Sequence, residues 1–171
     1  MKKIILGILI LILLPLEVKA EEPMTDEVPE CIRNFCEYAG EEYNICPELL
    51  EAIAYYESRF TPTAKNGDHY GMMQVNVEIH KERLEQHCWT KEDMYKPYRN
   101  LVIAAEYLSE LYEEYEDNAI VLAMYSGNTK AVKSGKLCRY AKKVLKKSYE
   151  YETLHGKHEG GKDNVRDYST K

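Results

Sequence analysis

Glu57 closes a short apolar stretch in the run Glu57-Ser58-Arg59-Phe60, and Gly71-Met72-Met73-Gln74 begins fourteen residues later. Leu50, Ile53 and Glu57 fall on one side of a helix read from Pro47 onward. A carboxylate there loses hydration, and the helix C-terminus adds partial negative charge. Both effects favour retention of the proton. The second segment offers a glycine-initiated turn carrying an apolar side chain and an amide. An acid held protonated beside a polar wall can donate to the leaving oxygen of a glycosidic bond. The plainer reading is a solvated glutamate at a helix end, paired with Arg59.

The elements that must position these residues read as helices. Ile32, Phe35, Cys36, Ala39 and Tyr43 share helical spacing, weakened locally by Gly40. Pro47 suits the first turn of the helix that carries Glu57. Residues 61–70 read as a loop through Thr61-Pro62 and Asn66-Gly67-Asp68, and 77–87 as a short helix. Asn100 is placed as the cap of the most regular helix, whose stripe is Leu101, Ala104, Ala105, Leu108, Leu111 and Tyr115. A further helix from Asp117 or Asn118 ends at Gly127-Asn128. The last spans about 137–151, with Tyr140, Ala141, Val144, Leu145 and Tyr149 inward. No segment sustains period-two alternation, so the expected fold class is all-α.

Composition sets the outer limits. Lys2 and Lys3, the apolar run from Ile4 to Leu14, and Val18-Lys19-Ala20 read as an export signal over residues 1–20, cleaved after Ala20. Its apolar core is short for a membrane span, so no stable span is expected after cleavage. Residues 21–29 form an acidic, proline-containing lead-in, 30–151 one compact domain, and 152–171 a flexible polar tail. A formal net charge of −6 argues against nucleic acid as a partner. Five cysteines (Cys31, Cys36, Cys46, Cys88 and Cys138) in an exported chain make one or two disulfides plausible, with buried free thiols as the alternative. No Cys-x-x-Cys or His-Glu-x-x-His pattern occurs, so neither metal nor other cofactor is expected.

Four segments in order resemble the soluble, family-one type of lytic transglycosylase, within the lysozyme-like superfamily. They are Pro47 to Ile53 with Glu57-Ser58, then Gly71-Met72-Met73-Gln74, then Asn100-Leu101 with Tyr107-Leu108, and Ala123-Met124-Tyr125-Ser126-Gly127-Asn128. The resemblance covers about residues 35–145. It implies a lysozyme-like α-helical domain with a substrate groove, Glu57 as the acid that later acts as base, and Ser58 hydrogen-bonded near it. Met73 and Gln74 would line the sugar groove, and Tyr125 would set its hydroxyl near Glu57 or the sugar. The implied substrate is the peptidoglycan glycan strand, cut between N-acetylmuramic acid and N-acetylglucosamine. The implied partners are secretion, conjugation or phage assemblies. Ser126 stands where the family usually has Asn. Met72, Met73 and Tyr125 also suit plain core packing.

Most glycoside hydrolases use two carboxylates, whereas the transglycosylases use one. Asn66-Gly67-Asp68, the Gly71 motif and His80-Lys81 also resemble goose-type lysozymes. In that reading Asp68 is the candidate second carboxylate, though Asn76 stands where those enzymes tend to have an acid. As a turn residue after Asn-Gly, Asp68 needs no catalytic role. A third reading is an inactive wall-binding protein. His80, His87, His155 and His158 read as surface or tail histidines. Lys130, Lys133, Lys136, Arg139, Lys142, Lys143, Lys146 and Lys147 run without an intervening acid. They form either a solvated face or a dock for an anionic wall.

Overall fold

The computed structural model describes residues 27–134 and 137–157. The export signal at 1–20, the lead-in up to residue 26, Lys136 and the tail from His158 lie outside the described residues. The described residues form seven α-helices: α1 (Glu30–Tyr43), α2 (Pro47–Ser58), α3 (Lys81–Gln86), α4 (Pro97–Glu114), α5 (Asn118–Tyr125), α6 (Thr129–Ser134) and α7 (Arg139–Leu154). A 3-10 helix, Lys91–Tyr95, precedes α4. None of the described helices is long and apolar enough to cross a membrane. The all-α expectation holds.

Helix α2 is the centre of the molecule. It packs against both α7 and α1, while α4 packs on α1 and α5, and α5 on α7. Pro47 opens α2 at a position where the missing N–H costs nothing. Leu49, Leu50, Ala52, Ile53, Ala54 and Tyr55 are all buried, as expected for a helix covered on most sides. The helix ends abruptly because Arg59 (φ 54°) and Phe60 (φ 59°) both adopt the left-handed conformation. Their N–H groups return to the carbonyls of Tyr55 and Ala54. That double reversal leaves Glu57 on the last turn, at the edge of the core.

Gly40 does not interrupt α1. A Cβ there would sit 2.6 Å from the Ile45 carbonyl oxygen and 2.9 Å from Pro47, so the tight α1–α2 turn requires glycine. The expected loop at 61–70 carries part of a three-stranded antiparallel sheet: β1 (Lys65–Asn66), β2 (His69–Tyr70) and β3 (Val75–Asn76). Asn66 pairs with His69 and Tyr70 with Val75. Strands of two residues are too short to show alternation, which is why the sequence does not reveal them.

Three boundaries move. Val28, assigned to the lead-in, is buried in the core. Helix α4 begins at Pro97, so Asn100 lies inside the helix and caps nothing. Helix α7 runs to Leu154, and the expected flexible tail is ordered at least to Lys157 because His155 and Lys157 pair with Glu48. The five cysteines are free, against the expectation of disulfides. Three of them serve their own elements: Cys138 Sγ accepts the Ala141 N–H at the start of α7, Cys46 Sγ donates to Glu48, and Cys36 is core.

Candidate active site

A groove of about 400 Å³ opens beside the end of α2. Glu57 enters it from α2, His69 and Asn76 from the small sheet, Gln74 from the turn between β2 and β3, Tyr107 from α4, Tyr125 from α5 and Tyr140 from α7. Glu57 is the one carboxylate among the described residues that line it.

Glu57 Oε1 accepts a 2.6 Å hydrogen bond from the Tyr140 hydroxyl. Burial pushes the Glu57 carboxyl above its ordinary value of 4.5; the Tyr140 bond and the nearby His69 oppose that and do not overcome it. Tyr140 and Tyr125 are themselves pushed well above 10, first by burial and then by the adjacent Glu57. Both phenols therefore stay protonated as hydrogen-bond donors. Tyr125 donates to the Met73 carbonyl at 2.9 Å.

The turn from Gly71 to Gln74 links β2 to β3 and is clamped from below. Fully buried Asn100 donates to the Tyr70 carbonyl (2.8 Å) and accepts from the Met73 N–H (2.6 Å). Gly71 is obligatory: its φ is +75°, and a Cβ would lie 2.0 Å from the Met94 carbonyl oxygen. Gln74, at φ 50°, donates from Nε2 to the Gly71 carbonyl at 2.8 Å, which fixes its amide on the groove wall. Ser58 fastens the C-terminal end of α2 to this turn, donating to the Met72 carbonyl at 2.7 Å and accepting from the Thr61 N–H at 3.0 Å.

The expected site residues thus divide. Glu57, Gln74 and Tyr125 meet in the groove. Ser58 bonds beside Glu57 but faces the turn. Met73 is fully buried, so its side chain does not line the groove as expected, and its part is to offer backbone atoms to Asn100 and Tyr125. Asp68 sits exposed on the β1–β2 turn and is not among the groove-lining residues; its neighbour His69 is.

The inward stripe with Ala141 and Val144 predicts a packing role for Tyr140, whereas its hydroxyl reaches Glu57 in the groove. His80, expected on the surface, is buried in the groove wall. Burial and the adjacent Arg83 lower His80 to about 4. Arg83 Nη1 lies 2.7 Å from His80 Nδ1, and a guanidinium only donates, so the ring is a neutral acceptor there. His87 is half-buried, facing Glu106 at 3.1 Å and stacked on Trp89.

The groove thus sets one carboxyl among two phenols and a fixed amide. The chain matches the family model of the transglycosylase SLT domain over residues 34–148 and belongs to that family. It is thereby a lytic transglycosylase of the soluble type within the lysozyme-like superfamily. Protein IpgF of Shigella flexneri is 31% identical over 127 residues, which span 70% of this chain and 83% of that protein. Invasion protein IagB of Salmonella typhimurium is 30% identical over 124 residues, 69% of this chain and 75% of its own. An X-ray structure of the lytic transglycosylase Slt of Pseudomonas aeruginosa, an inactive mutant, superposes with a TM-score of 0.64. The match covers 72% of this chain and 24% of that one, and at 18% identity it bears on the fold.

Proposed function

We propose that this protein is an exported enzyme that cuts the β-1,4 bond between N-acetylmuramic acid and N-acetylglucosamine in peptidoglycan and leaves a 1,6-anhydro end. The observation that carries this reading is the single carboxylate among the described groove residues. Glu57, whose carboxyl burial biases toward the protonated form, gives its proton to the glycosidic oxygen as the bond from the muramic C1 breaks. The resulting carboxylate takes the proton of the muramic 6-hydroxyl, whose oxygen then bonds to C1. Glu57 ends protonated again, and no water is consumed. Because the nucleophile is tethered to the reacting ring, its effective concentration is high. The fixed Gln74 amide and the two phenols supply oriented dipoles around the changing charge.

Hydrolysis would need a second group to direct water. Asp68, the candidate for it, stands outside the groove lining, which favours the one-carboxylate route. The relative named an invasion protein supports local wall opening for a machine that crosses the envelope, and export through the signal at 1–20 fits that setting. The test is turbidity loss of purified sacculi with wild type and Glu57→Gln. Clearing by wild type alone supports the reading, and clearing by neither overturns it.

A further inference from the structure

The opposite face of α7 from the core carries Arg139, Lys142, Lys143 and Lys146, all exposed. These positions recur at three, four and seven residues, so they form one stripe extending about 10.5 Å along the helix axis. Exposed Lys130 and Lys133 of α6 precede it, and no acidic residue occurs between Asn118 and Tyr149 in an otherwise acidic chain. Among the described residues, Arg139, Lys142 and Lys143 make no ion pair, and Lys146 meets Glu150 at a loose 3.8 Å. Like charges spaced this way repel one another, so a stripe whose one counter-charge is the loosely held Glu150 is poised for an anionic partner.

The stripe is continuous with the groove. Tyr140, next to Arg139 and one turn before Lys143, lines the groove and bonds Glu57. Lys143 Nζ lies 5.9 Å from the ring centre of Tyr56, another groove residue. A glycan strand seated in the groove would carry its muramyl side chains past this rim. Those side chains are peptides ending in free carboxylates.

We infer that the cationic stripe of α7 binds the stem-peptide carboxylates of the strand held in the groove, so that the enzyme recognises peptide-bearing peptidoglycan over bare glycan. The inference rests on the proposed reading of the groove. It assigns the stripe to substrate selection and leaves the bond-breaking step to Glu57.

Co-sedimentation with sacculi separates the two. Full-length Glu57→Gln protein is compared with the same protein carrying Arg139→Gln, Lys142→Gln, Lys143→Gln and Lys146→Gln. The neutralised stripe should weaken binding to intact sacculi at least about fivefold at low salt and flatten its salt dependence. A version with Lys142, Lys143 and Lys146 all changed to Arg should bind as the parent does, which guards against loss by misfolding. With Glu57 restored, the neutralised protein should cleave peptide-stripped glycan strands as wild type does. Unchanged binding to sacculi would overturn the inference. So would equal binding of the parent to peptide-stripped strands, or loss of its binding when phosphate-bearing accessory polymers alone are removed. Stripe-dependent binding by a wild type that cleaves nothing would instead overturn the proposed reaction and leave the peptide contact standing.

Discussion

In the proposed reaction Glu57 and Tyr140 form the pair on which the chemistry turns. The carboxyl must then hold a proton when substrate arrives and release it afterwards, and burial at the end of α2 shifts it in that direction. Glu57→Gln keeps the shape and removes the proton exchange, so turnover on sacculi should fall by at least ~10²-fold with an unchanged circular dichroism spectrum. Tyr140 stabilises the ionised form through its 2.6 Å bond. Its removal in Tyr140→Phe should therefore raise the Glu57 midpoint further. Because the protonated form starts the reaction, the alkaline limb of the rate profile should move to higher pH in this variant, while the maximal rate falls. A limb that stays put or moves down in pH would show that Tyr140 does not govern this proton.

At the scale of elements, two clamps keep the site in place. Asn100 ties α4 to the turn from Gly71 to Gln74. Asn100→Ala leaves the Tyr70 carbonyl and the Met73 N–H without their buried partner and should cost about 2–4 kcal/mol in denaturant unfolding. The second clamp closes the far end of α2. His155 Nδ1 and Lys157 Nζ reach Glu48 at 3.0 and 2.8 Å, whereas both carboxyl oxygens of buried Glu51 lack a hydrogen bond among the described residues. Burial acts on both acids. In Glu48 it is outweighed by bonds from Lys157, His155 and Cys46, which bring it down to about 2. In Glu51 burial, reinforced by the charge of Glu48, prevails and raises it to about 8. The signs are opposite. Glu48 contributes stability above about 4.5 that is lost as pH falls toward 2, and Glu51 loses stability as pH rises from about 4.5 to about 8. Glu51→Gln should accordingly raise Tm over wild type at pH 8, by the equivalent of a few kcal/mol, with the gap shrinking toward pH 5. A constant gap would mean that Glu51 does not ionise in this range.

What the sequence disclosed follows from the same physics. The helices are legible because their apolar stripes are long, and the candidate acid at the end of α2 because it stands in line with Leu50 and Ile53. The turn at 71–74 is legible because a glycine opens it, whereas the close approach to Met94 that requires this glycine emerges only in the fold. Tyr140 and Asn100 are not legible, since a tyrosine on an apolar stripe and an asparagine near a helix start both have commoner uses than the ones found. The docking of His155 onto Glu48 joins positions 107 apart and leaves no local trace.

For the whole molecule, the helices packed around α2 present one acid to the groove, and the described residues lining it include no second carboxylate. The reaction should then end inside the sugar, without water. Mass spectrometry of the fragments released from purified sacculi by wild-type protein reads that outcome directly. Muropeptides with 1,6-anhydromuramic ends, lighter by one water than their hydrolytic counterparts, are the expected result. Reducing ends formed by the enzyme, carrying oxygen from labelled water, would contradict the account.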